Sequence, residues 1–282
     1  MNDPEYKRTL KEVLSIAYVE PTLKTIYVEG IDDKLFIDGF LERQGVEDVY
    51  VGQIKDIVFP DGFLNNNKEK VIYLARQLQD TIHGSIPWLC IVDVDMDIVF
   101  GTKKSDLHYL SYTDYNSMEL YLYNKNSIRK LFKNVCRITS ELDWDSLLNS
   151  IGVVCRNIFF MHCVMYTVKK GMINFDKNIS FNKIESKLNL ASDDYWDKLI
   201  INNSLAQMKN DLRKQYEEYH DEPITDIRLE IRGHDLFHCL YYCAKQYKSS
   251  TIDEESFGHS FWLCVNHQDI LNKNLFKRIL AL

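Results

Sequence analysis

Apolar and polar positions along the first 115 residues switch between strand-like runs and helical spacing. Thr25 to Glu29 (TIYVE) is a compact apolar run ending at Gly30, which predicts a buried strand. Asp33 to Arg43 then carries Leu35, Phe36, Phe40 and Leu41 at helical spacing and closes at Gly45. Val49 to Ile54 predicts a second strand, and Lys55 to Asn66, with Pro60, Gly62 and a run of Asn, predicts a loop. Lys68 to Ile82 sets Val71, Leu74, Ala75 and Leu78 on one helical face, ended by Gly84. Trp88 to Val94 (WLCIVDV) is the strongest buried-strand run, and His108 to Thr113 reads as a fourth strand. Strands alternating with helices at this spacing predict an α/β fold with a mainly parallel sheet.

Beyond Thr113 the period becomes helical. Tyr115 to Phe132 predicts a helix with Met118, Leu122, Ile128 and Leu131 inside, and further helices are expected at 144–170, 181–190, 195–219, 233–248 and 267–280. The expected organisation is an N-terminal α/β domain over about the first 115 residues followed by a mainly helical region, 116–282. Ile151 to Val168 is apolar enough to raise a membrane span, yet it contains Arg156, Asn157 and His162 and reads as a buried helix. Met1 to Lys11 is charged and lacks the apolar core of a signal peptide. The 7 Cys are scattered among apolar neighbours with no Cys-x-x-Cys, so reduced core thiols in a cytoplasmic protein are expected.

Candidate chemistry concentrates where buried strands end. Asp93, Asp95 and Asp97 follow the Trp88 run, and at strand period two they would point to one side. Three carboxylates on one face repel unless neutralised, which suggests a hard divalent metal; a solvated loop is the plainer alternative. An EF-hand beginning at Asp93 fails, because Ile98 and Lys104 occupy its Gly and Glu positions. A haloacid-dehalogenase-type phosphatase also uses Asp-x-Asp, but Asp97 stands where that pattern continues to Thr. The second group is Glu29-Gly30-Ile31-Asp32-Asp33, where Glu29 ends a strand and Asp32 or Asp33 can cap the next helix. Ligands of open α/β sheets bind at the carboxyl ends of strands, so Glu29 and Asp93 could share one crevice. His234 and His238 are spaced as a metal pair, but without a His-Glu-x-x-His they read as capping or packing residues.

Val28-Glu29-Gly30-x-x-Asp33 with Leu35-Phe36, followed some 60 residues later by Asp93-x-Asp95, resembles the TOPRIM domain over about residues 20–115. That family places a Glu after its first strand and an Asp-x-Asp after its third, on a Rossmann-like β/α fold. The form is most similar to the OLD-like nuclease branch. Thr113-Asp114-Tyr115 through Glu119, and Arg232-Gly233-His234-Asp235-Leu236, resemble pieces of stand-alone members paired with a separate ATPase, such as the effectors of PARIS anti-phage systems. The resemblance implies a Mg²⁺- or Mn²⁺-dependent endonuclease using one or two ions, with RNA (tRNA) favoured over DNA. It also implies an AriA-like ABC-type ATPase partner, a homodimer when active and no membrane association. Glu29, Asp93 and Asp95 would be catalytic and metal-binding, with Asp97 a further candidate ligand and Asp33 or Glu119 serving a second ion. Lys103 and Lys104 could stabilise charge on the phosphorane. Two other readings stand beside this one: a non-catalytic TOPRIM-like subunit that regulates an ATPase, and an Asp-x-Asp phosphatase. No Gly-x-x-x-x-Gly-Lys-Ser/Thr loop occurs, so any ATP hydrolysis belongs to a partner.

Charge refines the substrate class. The net charge of −7 would disfavour nucleic acid if it were spread evenly. It is not: residues 1–119 hold 12 Lys/Arg against 21 Asp/Glu, whereas residues 120–190 hold 11 against 5. Arg129, Lys130, Lys133 and Arg137 recur at helical spacing as a candidate RNA-backbone stripe. Arg228 and Arg232 are candidate phosphate contacts, or partners of Glu230 and Asp235.

Overall fold

A computed structural model describes residues 7–60, 66–221, 226–247 and 250–282. Gly62 and Asn65 of the expected loop lie outside the described residues. The chain forms two compact units: one comprises residues up to Val94, Thr102–Asp114 and His267–Leu282, the other Asp95–Gly101 and Tyr115–Asn266.

The first unit is α/β. A two-residue strand β1 (Arg8–Thr9) leads into helix α1 (Leu10–Val19), whose capping box pairs Thr9 with Glu12. Strand β2 (Lys24–Val28), helix α2 (Ile31–Arg43), strand β3 (Val49–Gln53), the short strand β4 (Ile57–Val58), helix α3 (Asn67–Thr81) and strands β5 (Trp88–Val92) and β6 (Leu110–Tyr112) follow. The main sheet has order β3-β2-β5-β6 and every pairing is parallel. Tyr27 stands level with Gly52 on one side and Cys90 on the other. Alternation along β2 and β5 sends Tyr27, Trp88, Cys90 and Val92 to one face, where they pack with Val13 and Ala17 of α1 and Val71, Leu74, Ala75 and Leu78 of α3. Helix α2 buries Phe36, Ile37, Phe40 and Leu41, while Leu35, expected inside, is 51% exposed. Phe276, in the C-terminal helix Asn274–Leu280, meets Phe36 and Phe40. Asp114 caps that helix by accepting from the Asn274 and Leu275 amides, and Arg278 donates to the carbonyls of His108 and Leu110. The last helix thus completes the sheet unit, although it lies far from the strands in sequence.

The second unit is mainly helical. It begins with helix α4 (Asp97–Phe100), closed by Gly101 in the left-handed region. The helix expected from Tyr115 to Phe132 is not continuous: a 3-10 turn (Met118–Leu122), helix α5 (Lys125–Lys130) and a π turn (Leu131–Val135) replace it. Asn124 restarts the chain by accepting from the Ser127 amide, a cap that competes with helix propagation. The four apolar positions expected inside are all buried. Helix α6 (Trp144–Thr167) is the central element. It alone among the described residues is long and apolar enough to cross a membrane, and 61% of its most apolar window is buried inside the protein.

The helix expected at 181–190 is instead an antiparallel hairpin, β7 (Ile179–Asn182) with β8 (Lys187–Leu190). Ser186 takes a φ of 53° in its turn, and Ile179 and Leu188 are buried at strand rather than helical period. Ser204, at a φ of 58°, breaks the stretch 195–219 into helices α7 (Ser192–Asn202) and α8 (Lys209–Asp221). Helices α9 (Gly233–Lys245) and α10 (Glu254–Phe261) complete the unit. All 7 cysteines are buried and unbridged. Burial pushes the Cys136 and Cys163 thiols up to about 12, so they are inert at neutral pH.

Candidate active site

In the first unit the chain leaves β2 towards β3 on one side, returns past β2, and enters β5 on the other. Right-handed crossovers then put α2 and α3 on opposite faces of the sheet, so the carboxyl ends of β2 and β5 form the point where strand order reverses and where open α/β sheets bind ligands. Glu29 follows β2 there and Asp93 follows β5. The carboxylate Oε1 of Glu29 accepts a 2.9 Å hydrogen bond from the Asp93 amide, joining residues 64 apart in sequence. Both side chains are half-buried.

Three neighbours shape this end of the sheet. The Gly30 amide donates to Asp33 Oδ2 at 3.1 Å, so the Asp33 carboxylate caps the start of α2. Thr113 ties β6 to β5: its amide donates to Val92 O and its Oγ1 accepts from the Val94 amide. From the other side, the start of α3 closes over the strand ends. Asn66 accepts from the Lys68 amide, Asn67 Nδ2 donates to the Glu29 carbonyl at 3.0 Å, and Lys68 Nζ donates to the Val94 carbonyl at 3.1 Å.

Lys68 is buried, and the carbonyl it binds, that of Val94, belongs to the residue next to Asp93; sequence reading passes over it as an ordinary helix-start lysine. Nothing in its local sequence distinguishes it, because its burial depends on α3 docking beside β5. Lys103 and Lys104 are exposed and organised by Tyr112. Lys103 Nζ lies 4.8 Å from the ring centroid, Lys68 Nζ lies 6.0 Å from it, and the Lys104 amide donates to the Tyr112 hydroxyl.

The remaining candidates belong to the second unit. Asp95 and Asp97 do not continue the strand alternation expected of them. Strand β5 ends at Val92, Asp95 adopts a φ of 51°, and Asp97 opens α4. That backbone reversal breaks the period-two argument that would aim all three aspartates one way. The Asp95 amide donates to the Asn116 carbonyl at 2.8 Å. Asn116 is buried and in turn binds the loop before α9, through Arg228 O and Ile231 O.

Glu119 lies in the 3-10 turn, not one α-helical turn beyond Tyr115, and its carboxylate packs against Gly233. A methyl group at Gly233 would overlap Glu119 and Ser117, which explains a glycine at the start of α9. Arg228 pairs with Asp226 rather than Glu230, with Nε 2.8 Å from Oδ1, and its guanidinium lies 3.9 Å from the centre of the Tyr115 ring. Glu230 pairs with Arg156. Arg232 donates to His162 and sits 3.8 Å from Asp235. The basic stripe is exposed but does not share one α-helical face. Arg129 and Lys130 end α5, Lys133 is in the π turn, and Arg137 follows at a φ of 56°. The wider π turn shifts the phase that 3.6-residue spacing assumes. His238 contacts the Asp176 carboxylate, while His234 is exposed.

Among the described residues no group of three or more His, Cys, Asp or Glu side chains is gathered as a metal cage. The donor set at the strand ends is the pair Glu29 and Asp93. Magnesium accepts such a set, since it keeps several waters and takes one or two carboxylates together with substrate phosphate. No family model matches the chain, and no curated protein matches it.

Proposed function

We propose that the chain is a metal-dependent phosphodiesterase of the TOPRIM type that cleaves nucleic acid, RNA in preference to DNA, as an anti-phage effector. The observation that carries this reading is the Glu29–Asp93 hydrogen bond across β2 and β5. It joins a Glu after the first strand of a parallel sheet to the first Asp of an Asp-x-Asp after the third, at the point where strand order reverses.

In this reading Glu29 and Asp93 hold Mg²⁺ or Mn²⁺, and Asp95 follows two residues later in sequence. The ion would polarise a phosphate oxygen and lower the pKa of an attacking water. Glu29, anchored through Oε1, would orient that water and take its proton. Lys68 places a fixed positive charge beside the strand ends, where negative charge grows on the phosphorane. Its hydrogen bond to the Val94 carbonyl holds the ammonium in place. Lys103 adds a second, solvent-facing charge along the same edge. Asp33 serves the fold as the cap of α2 and is a poorer ligand candidate for that reason. The chain lacks a phosphate-binding P-loop, so the reading assigns ATP hydrolysis to an ABC-type ATPase partner and expects a homodimer in the active state.

The test is incubation of the purified full chain with tRNA or plasmid DNA, in Mg²⁺ or in EDTA, alongside Glu29→Gln and Lys68→Met. Metal-dependent cleavage of RNA, lost in Glu29→Gln, is the expected result. Failure to cut either polymer, with and without a co-expressed ATPase, overturns the reading. Turnover of a small phosphomonoester that disappears in Asp93→Asn would replace it with the phosphatase.

A further inference from the structure

The second unit contains a cavity of about 360 Å³ that the nuclease reading does not use. Its polar wall is formed by His162 of α6, Arg232, and Asp235 in the first turn of α9. Its apolar wall is formed by Met172, Ile173 and Phe175. Phe175 and His238 meet edge to face at 5.0 Å, and the Asp176 carboxylate engages the His238 Nε2. Asp235 is 3% exposed, yet its Oδ2 has no hydrogen-bond partner among the described residues. The nearest basic nitrogens, His162 Nε2 at 3.6 Å and Arg232 Nη1 at 3.8 Å, are beyond hydrogen-bond reach.

A buried carboxylate oxygen left this way is costly, and a ligand that supplies donors removes the penalty. Burial raises the Asp235 pKa, opposed by Arg232, His234 and His238. His162 is neutral at physiological pH, because burial and the adjacent Arg232 hold its pKa near 3. It accepts from Arg232 Nη1 at 2.7 Å and so aims the guanidinium. A metal ion is disfavoured by that guanidinium beside Oδ2. A ligand complementary to this site is uncharged at the contact, flat against Phe175, and presents donors next to acceptors.

We infer that this cavity binds a guanine base. The N1–H and N2–H₂ edge of guanine supplies donors to Asp235, and its adjacent O6 and N7 accept from Arg232. Adenine and the pyrimidines each offer Asp235 a single donor group, whereas guanine presents two donors to it and two adjacent acceptors to Arg232. The base could come from a free nucleotide or from an RNA chain; the second source rests on the nuclease reading.

The two sources separate in a calorimetric titration of the full chain in EDTA, where no metal-dependent cleavage occurs. The probes are GMP, IMP, AMP and UMP, and a short single-stranded RNA containing one G or, in its place, one inosine. Losing the N2 amino group should weaken binding about tenfold, and adenine should bind more weakly still. Guanine preference among mononucleotides identifies a nucleotide site; preference confined to the RNA identifies a substrate-base site. Asp235→Asn should abolish the preference, and because the comparison of guanine with inosine uses wild-type protein, the test survives a variant that fails to fold. Equal binding of all bases, absence of binding by both probe classes, or a preference retained in folded Asp235→Asn overturns the inference. RNA cleavage by a protein that shows no guanine preference in either probe class would sink the pocket and leave the nuclease standing. Guanine binding without any cleavage would do the reverse.

Discussion

Replacing Glu29 separates its structural and chemical roles. Its Oε1 accepts from the half-buried Asp93 amide at 2.9 Å, and a charged acceptor makes that bond worth about 1.5–3 kcal/mol. Glu29→Ala removes the acceptor, and water can replace it only in part, so a local loss of roughly 1–3 kcal/mol is expected. Glu29→Gln keeps a carbonyl acceptor of the same length and loses only the charge, about half of that value. Hydrogen exchange at the Asp93 amide reads the difference directly. A loss of about 1–2 kcal/mol accelerates exchange through local opening roughly 5- to 30-fold in Glu29→Ala, and less in Glu29→Gln. Cleavage should fall in both variants alike, by about 10²- to 10⁴-fold, because a neutral amide neither takes the water's proton nor holds the metal well. Equal exchange in the two variants would refute the bridging role. Wild-type cleavage by Glu29→Gln would refute the chemical one.

Further expectations concern the lysine, the sheet and the buried histidine. Lys68→Met fits the buried stem but removes the ammonium, so RNA binding should change little while the cleavage rate falls, measured under single-turnover conditions. Gly52→Ala should destabilise the first unit by about 1–3 kcal/mol, read by urea denaturation, through overpacking. A Cβ there would come 2.8 Å from the buried Tyr27 ring and 2.9 Å from Tyr50. His162, held near pKa 3 chiefly by burial, binds a proton more readily once unfolded, so its contribution is full above about pH 6.5. Stability should then fall by up to about 1.4 kcal/mol per pH unit as pH drops from 6.5 towards 3. In His162→Phe the denaturation midpoint should flatten over that window; an unchanged slope would assign the acid sensitivity elsewhere.

The alternation of strands and helices before Thr113 was legible in the sequence because it is local. A run such as WLCIVDV states its own burial, and Val71, Leu74, Ala75 and Leu78 state a helical face. Carboxylates at strand ends were legible for the same reason, and so was the burial of the cysteines. Short polar signals misled where they competed with periodicity. The Asn124 cap split one expected helix, and the turn at Ser186 converted another into a hairpin. The left-handed Asp95 ended an alternation that would otherwise have gathered three aspartates.

What the tertiary structure alone decided is adjacency. Pairing of β5 with β2 rather than β3 brings Glu29 to Asp93, and backbone hydrogen bonds carry no residue-specific label for that choice. Docking of α3 buries Lys68 beside the same strand ends, and the packing of α9 against α6 leaves Asp235 facing a cavity with its oxygen unsatisfied. Hydrophobic period records whether a side chain is buried. It does not record which neighbour it meets, because burial energy depends on area removed from water and not on the identity of what removes it.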